Sequence, residues 1–188
     1  LLALASQYDF AVIEDDIYGE LGFFQRPEPL KALDKDDRVI LCGSVSKSLS
    51  RDIRVGWVDA GRWRQKVKQL KLVTSLASCR FVQQGLAEFM ADGGYDAHLR
   101  RQRGLLLQQR DQLVTFLDKQ WKGRCQYYVP EGGLALWVRW NEGIDTLKAY
   151  PQALEQGVVI TPGALFSVEE AYRHCLRLSF AHPLTEDT

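Results

Sequence analysis

The sequence has no C-x-x-C pair, no cluster of histidines and no excess of either charge. Its four cysteines, Cys42, Cys79, Cys125 and Cys175, are scattered, as are His98, His174 and His182. Zinc-ligand spacing is therefore absent, no metal site is expected, and a disulfide framework is not expected in so long and cysteine-poor a chain. Lys plus Arg and Asp plus Glu each number 24, so the formal net charge is zero. A neutral chain offers no bulk attraction to nucleic acid or to an anionic membrane. If the parent protein binds DNA, other residues are expected to do it. No apolar run approaches the roughly 20 residues that span a bilayer. The opening Leu1-Leu-Ala-Leu-Ala5 is too short for a signal peptide and lacks a basic leader. The expected setting is a reduced cytoplasm. There is no initiator Met, and residues 1–7 read as the closing turns of a helix, so the chain is expected to be part of a longer protein. Neither an internal repeat nor a low-complexity segment is present.

What is present suits a folded α/β chain: 46% of residues are hydrophobic and 11% aromatic, enough for a real core. Phe10-Ala-Val-Ile13 and Arg38-Val-Ile-Leu-Cys-Gly43 are apolar runs rich in strand formers. Their lack of alternation predicts strands buried on both faces, as in a parallel α/β sheet. Arg54-Val-Gly-Trp-Val-Asp-Ala60 predicts a third, shorter strand. Trp63, Val67, Leu70 and Val73 recur at steps of four and three, predicting an amphipathic helix over 62–76. Another is expected over 79–90, closed by Asp92-Gly93-Gly94. The narrow stripe Leu99, Leu106, Leu113, Leu117 and Trp121 predicts a long, otherwise polar helix over 95–121 that bridges two domains. Beyond Gly123 short strand-like runs at 134–140, 158–160 and 176–180 are broken by turns at Pro130-Glu-Gly-Gly133 and Pro162-Gly163. That texture predicts a small α+β domain over 122–188, after a larger domain over 1–94 and the connecting helix over 95–121.

Both early strand runs place polar residues at their carboxyl ends, where ligands sit in such sheets. Asp15 ends the first, and Tyr18 follows three residues on. A carboxylate there can keep a pyridine ring protonated, and a phenol can donate to a ring oxygen. Asp15 and Asp16 read equally as helix-cap or turn residues. Ser44-Val45-Ser46-Lys47 ends the second. Desolvation at a site edge favours a nucleophilic lysine amine, the serines offer neutral donors to a phosphate, and Arg54 offers a bidentate fork. The alternative is an exposed lysine in a Ser-rich turn. Arg177, inside the strand-like Cys175-Leu-Arg-Leu-Ser-Phe180, suggests a partly buried guanidinium for a carboxylate, or else a surface arginine on an edge strand.

Taken in order, Ile13-Glu-Asp-Asp-Ile-Tyr-Gly-Glu-Leu21, Gly43-Ser-Val-Ser-Lys-Ser-Leu49 and Arg54-Val-Gly-Trp57 resemble the fold-type-I, class I/II aminotransferases. Pro130-Glu-Gly-Gly133, residues 157–166 and Leu176-Arg-Leu-Ser-Phe180 resemble the small domain of the same family. The resemblance covers nearly the whole chain. It implies the aspartate-aminotransferase-like fold of pyridoxal-phosphate (PLP) transferases, with these residues forming part of the large domain and a small α+β domain. It also implies Lys47 as the lysine that condenses with the cofactor and acts as catalytic base. Asp15 would face the pyridine nitrogen, Tyr18 the ring oxygen, Ser44, Ser46 and Arg54 the phosphate, and Arg177 the carboxylate of an amino acid or 2-oxo acid.

The wording around Asp15, with Tyr172-Arg-His-Cys-Leu-Arg177 and Ala181-His-Pro-Leu184, is most similar to the MocR subfamily of GntR regulators. In those proteins a winged helix-turn-helix precedes an aminotransferase-like domain that senses PLP or an amino-acid adduct. The resemblance therefore implies either a regulator, with DNA bound only through a separate N-terminal module, or a free-standing transaminase, and in both cases a homodimer of the full-length protein. The pattern departs from the family in two places. Ser50-Arg51-Asp52-Ile53 stands where Pro-Gly is frequent before the phosphate arginine, so Arg51 is expected to compete for the phosphate or assist in binding it. Val45 stands where an aromatic is frequent. The family's first half, which supplies a glycine-rich phosphate cradle, a ring-stacking aromatic and an asparagine, has no counterpart here. These residues alone are expected to bind PLP weakly or not at all.

Overall fold

Helix α1 (Leu2–Tyr8) leads into strand β1 (Val12–Asp15), and β2 (Val39–Ser44) and β3 (Gly56–Asp59) follow. Three helices come next: α2 (Arg64–Thr74), α3 (Arg80–Ala91) and α4 (Gly94–Gln120). Then come β4 (Cys125–Tyr127), β5 (Ala135–Trp140), α5 (Thr146–Glu155), β6 (Thr161–Pro162) and β7 (Cys175–Ser179). This computed structural model describes residues 1–141, 143–169 and 171–182. Pro183 and Leu184, part of the narrower resemblance above, lie outside the described residues. The chain divides into two compact units, Leu1–Arg103 and Gly104–Thr188. Among the described residues no helix is long and apolar enough to cross a membrane, and no group of three or more His, Cys, Asp or Glu is placed to hold a metal ion.

In the first unit β1 and β2 pair in parallel, from Val12 opposite Val39 to Asp15 opposite Cys42. β3 runs antiparallel to β2, with Ser44 opposite Gly56. The third strand thus departs from an all-parallel sheet. The 23 residues between β1 and β2 are long enough for a parallel crossover, whereas only eleven separate β2 from β3, and a parallel partner needs a crossover of a dozen or more residues. The consequence is that β1 and β2 end, and β3 begins, at one edge. Gly43 is required where β2 meets β3: a Cβ there would lie 2.4 Å from the Trp57 ring.

Burial on both faces is not found. Ile13 is 71% exposed, β3 is exposed along its length, and the apolar stripe of α2 contributes no buried residue, because nothing among the described residues covers these faces. The buried cluster of this unit is instead Val45, Tyr95 and Leu99, with Leu49, Ile53, Val55, Leu86 and Phe89 packed against it. Full burial of side chains of this size is worth about 1.5–3 kcal/mol each, and here it ties the segment after β2 to the first turns of α4.

In the second unit four antiparallel strands lie in the order β4-β5-β7-β6. Leu136, Val138 and Leu176 are buried on one face, and Trp137 and Arg177, opposite each other in register, project from the other. Leu106, Leu113 and Leu117 of α4 are buried as the stripe predicts, and Trp121 meets Trp140 of β5 at 4.7 Å between ring centroids. Arg110, also buried, donates to the Pro130 carbonyl at 2.7 Å and so fixes the turn before β5. Two elements were not predicted: β4, and α5, which is capped by Asp145 accepting from the Leu147 and Lys148 amides. Val158-Val-Ile160, expected as a strand, precedes β6 without joining it.

Candidate functional site

Strand direction gathers the candidate residues. Asp15 is the last residue of β1 and Ser44 the last of β2, and Arg54 lies two residues before β3. Asp15, Tyr18, Ser44, Ser46, Lys47 and Arg54 therefore come from segments that meet at one edge of the three-stranded sheet. The Lys47 amine lies 6.0 Å from the centroid of the Tyr18 ring.

The acidic cluster at the end of β1 separates into three different side chains. Glu14 accepts the Leu30 and Lys31 amides at 2.6 and 2.9 Å, capping the short helical turn Leu30–Leu33. Asp16 pairs with Arg26 at 3.4 Å. Asp15 alone of the three has no hydrogen-bond or ion-pair partner among the described residues, and it caps no helix. Lys47 and Arg54 have no carboxylate within ion-pair distance either, again among the described residues.

The segment after β2 is ordered by its serines. Ser44 Oγ accepts the Ser46 amide at 3.0 Å and donates towards the Val55 carbonyl at 3.1 Å or Ser46 Oγ at 3.0 Å. One hydroxyl carries one hydrogen, so the Ser44 proton is engaged within the turn while that of Ser46 is not. Arg54 sits at φ 54°, ψ 36°, the left-handed region that costs a residue with a side chain about 1 kcal/mol or more. Among the described residues its side chain makes one hydrogen bond, a long one to the Arg51 carbonyl, 3.5 Å. Arg51 itself is fully outward and meets Asp52 at 3.8 Å, an exposed pair of little weight.

Three residues that hold this segment had no motif to mark them. Ser48 and Tyr95 are both buried and share a hydrogen bond of 2.7 Å. His98, one turn on, bonds the Ser48 carbonyl at 2.9 Å. Burial pushes the Tyr95 phenol above its ordinary value, with the Ser48 hydrogen bond opposing the shift. Lys47 is thus exposed on a segment whose neighbours on both sides, Val45 and Ser48, are anchored in the core. No signal in the sequence marks them, because the bonded partners lie 47 and 50 positions apart.

In the second unit Arg177 is exposed on β7 and not partly buried, because alternation in that strand puts Leu176 in the core and Arg177 on the opposite face. Its guanidinium carbon lies 5.7 Å from the Phe166 ring centroid. No carboxylate among the described residues pairs with it.

The donors and acceptors at the sheet edge are of the kinds that would complement a phosphate ester joined to an aldehyde-bearing pyridine. They comprise an uncommitted hydroxyl and guanidinium, an uncommitted amine, an uncommitted carboxylate and a phenol.

Comparison with known proteins gives the same direction. The chain is 33% identical over 187 residues to the HTH-type transcriptional regulator YjiR of Escherichia coli strain K12, covering 99% of this chain and 40% of that one. It is 35% identical over 185 residues to aromatic-amino-acid aminotransferase 1 of Thermococcus litoralis, covering 97% of this chain and 44% of that one. The crystal structure of Pyrococcus horikoshii kynurenine aminotransferase, a complex with PMP, superimposes with a TM-score of 0.88 at 34% identity, over 99% of this chain and 46% of that chain. The chain therefore spans less than half the length of these relatives, and its fold is the α/β fold of the aminotransferase structures. The family profile "Aminotransferase class I and II" matches residues 1–188, and the chain belongs to that family.

Proposed function

We propose that this chain is the pyridoxal-phosphate-binding part of an aminotransferase-like effector domain in a GntR/MocR-type transcriptional regulator, with residual transaminase chemistry. Residues 1–94 form the C-terminal part of the cofactor-binding large domain, 95–121 the connecting helix and 122–188 the small domain. The observation that carries this reading is the convergence of Asp15, Lys47 and Arg54 on one sheet edge with their charges uncommitted among the described residues. It is supported by the likeness to an HTH-type regulator and to an enzyme solved with PMP, the amine form of the same cofactor.

When bound, pyridoxal phosphate supplies an aldehyde that condenses with amines and a protonated ring that takes up electrons from the substrate carbon. Asp15 holds the proton on the ring nitrogen, and Tyr18 donates its phenolic hydrogen to the ring oxygen. Ser46 donates its free hydroxyl hydrogen to the phosphate, Arg54 offers its guanidinium fork, and Ser44 fixes the turn that presents them. Lys47 would take a proton from the substrate's α-carbon and deliver it to the cofactor's aldehyde carbon, acting as general base and then general acid. Arg177 binds the carboxylate of the amino acid or 2-oxo acid. The full-length protein acts as a cytoplasmic homodimer, and DNA is bound through a separate N-terminal module.

The test uses protein from the full reading frame that contains this chain. Mixed with pyridoxal phosphate it develops a visible absorbance that Lys47→Ala abolishes; unchanged cofactor binding in Lys47→Ala refutes the reading. An upstream region without a helix-turn-helix module refutes the regulator. The second reading, a free-standing aminotransferase acting on an amino acid and a 2-oxo acid, is favoured by the 35% identity to the Thermococcus litoralis enzyme. Under it, amino acids bleach the bound cofactor's absorbance and a 2-oxo acid restores it.

A further inference from the structure

Arg177 does not stand alone on its face of the second sheet. Trp137 lies directly across from it on β5 and Thr161 across from it on β6, so the three form one row. Phe166, from the short turn Gly163–Phe166 after β6, brings its ring to 5.3 Å from Trp137 in an edge-to-face arrangement. Tyr172 meets Trp137 the same way, at 5.7 Å. The guanidinium of Arg177 lies over Phe166, within the roughly 6 Å range of a cation–π contact. Three rings and one guanidinium thus form a single contiguous surface within this unit.

That surface is built and it is open. Tyr172 has φ 63°, a conformation rare for a residue with a large side chain. A Cβ on Gly163 would lie 2.4 Å from the Tyr172 carbonyl oxygen and 2.7 Å from that of Cys175. Only glycine lets the turn carrying Phe166 close against the segment carrying Tyr172. Yet Trp137, Phe166 and Tyr172 remain 37%, 48% and 48% exposed. Packing among themselves has fixed the rings without covering them.

We propose that Trp137, Phe166 and Tyr172 form, with Arg177, the recognition surface for an acid that carries an aromatic group, and so set the ligand class. The proposal rests on the reading above that Arg177 takes the ligand's carboxylate. The cation binds the carboxylate as a fork, and the exposed ring edges and faces accept an aromatic side chain in the edge-to-face geometry that such rings prefer. A small acid such as pyruvate makes the first contact and lacks the second. A dicarboxylate has another footing, since Arg139 follows Trp137 on the same face of β5, and so it serves as the competing probe.

The experiment is calorimetric titration of the full-length protein with phenylpyruvate, pyruvate and 2-oxoglutarate. The expected result is that phenylpyruvate binds at least about tenfold more tightly than either other acid, within the range that an apolar group adds in a fitted pocket. Phe166→Ala and Trp137→Leu each remove about tenfold of the phenylpyruvate affinity and leave pyruvate within about twofold. Arg177→Gln weakens all three acids. Equal or tighter binding of pyruvate or 2-oxoglutarate overturns the proposal. A uniform loss for all three acids in Phe166→Ala does so too, because it marks a role confined to structure. The wild-type ranking decides by itself if a ring variant fails to fold. Cofactor absorbance, recorded on the same samples, separates the two failures: absorbance present with the ranking wrong defeats this inference alone, and absorbance absent defeats the function proposed above.

Discussion

Replacing Tyr95 by Phe tests how the segment bearing Lys47 is held. The substitution removes one oxygen and keeps the ring that packs with Val45, Leu99 and Phe89, so the core loses almost no apolar contact. What it loses is the 2.7 Å hydrogen bond to Ser48. Ser48 is 3% exposed, so water does not readily replace the partner, and an unsatisfied buried hydroxyl costs about 1–3 kcal/mol. Taking the lower half of that range, local opening becomes roughly 5- to 30-fold more frequent. The sensitive probes are the Leu49 and Ser50 amides, both bonded to the Val45 carbonyl, at 2.9 and 3.1 Å. Hydrogen–deuterium exchange of a peptide spanning 44–55 reads them directly, and exchange there should accelerate while α5 and β7 are unaffected. A cycle with Ser48→Ala isolates the pair: the double variant should be less destabilised than the sum of the singles by about 1 kcal/mol. Unchanged exchange in Tyr95→Phe, or strictly additive effects, would refute the argument that this bond anchors the segment.

Two further predictions concern alkaline pH and backbone packing. The Tyr95 phenol is raised above its ordinary 10.0, chiefly by burial, and that of Tyr127 is pushed up to about 12 by burial and its hydrogen bond to Asp118. A folded value above the unfolded one gives stability that is complete below about pH 10 and is lost as pH rises through the folded value. Ultraviolet titration should show Tyr127 ionising near pH 12, and Tyr127→Phe should remove that step. Gly163→Ala sets a methyl against two backbone carbonyls that no rotamer change can move aside, so it should destabilise by about 1–3 kcal/mol. Its urea midpoint should fall, and a midpoint equal to wild type would mean that the turn carrying Phe166 is not held as described.

Much of this was legible wherever one physical signal acted alone. The stripe from Leu99 to Leu117 marked α4 because a helix that is polar elsewhere can bury only one line of side chains, and those leucines are buried. Asp15 and Ser44 were legible because a strand that ends in polar residues places them at its carboxyl end. Helix α5 was hidden by Pro151 within it, which reads as a break although Asp145 offered a cap. Strand β4 is only three residues long and carries too little pattern to stand out. Val158-Val-Ile160 has strand composition, but pairing with β7 falls to Thr161 and Pro162 instead. Direction and coverage were the larger gap. Apolar content predicted that β1 and β3 and the stripe of α2 should be covered, yet composition does not say by what, and among the described residues nothing does. The Ser48–Tyr95–His98 clamp was invisible for a related reason: hydrogen bonds between residues some 50 positions apart have no period to read.

Ion pairing separates the charged side chains of the first unit into engaged and unengaged groups among the described residues. Other ionised side chains of this unit are already engaged: at the far end of the sheet Asp9 bonds both Arg38 and Arg62, which hold its carboxyl below the usual range, and after β1 Arg26 bridges Asp16 and Glu20, and Glu20 also meets Arg103. A ligand that displaced one of these would first have to break an existing pair. Asp15, Lys47 and Arg54 require no such exchange. They come from segments that meet at one edge and carry opposite signs, yet no ion pair forms between them, so each acid–base distance exceeds the 4.0 Å of such a contact. Rigid surroundings explain how that persists: Asp15 is fixed by its ladder to Cys42, Lys47 lies between buried Val45 and Ser48, and Arg54 is held in a left-handed conformation. Opposite charges held apart at one edge form a preorganised gap, where binding need not meet the ordering cost that flexible side chains impose. Under the function proposed above, a ligand with a cationic ring nitrogen at one end, a carbonyl beside the amine and a phosphate at the other would meet all three groups. A simple anion satisfies Arg54 and Lys47 but leaves Asp15 repelled. Inorganic phosphate should therefore compete only weakly with pyridoxal phosphate for the full-length protein, and Asp15→Asn should narrow the difference.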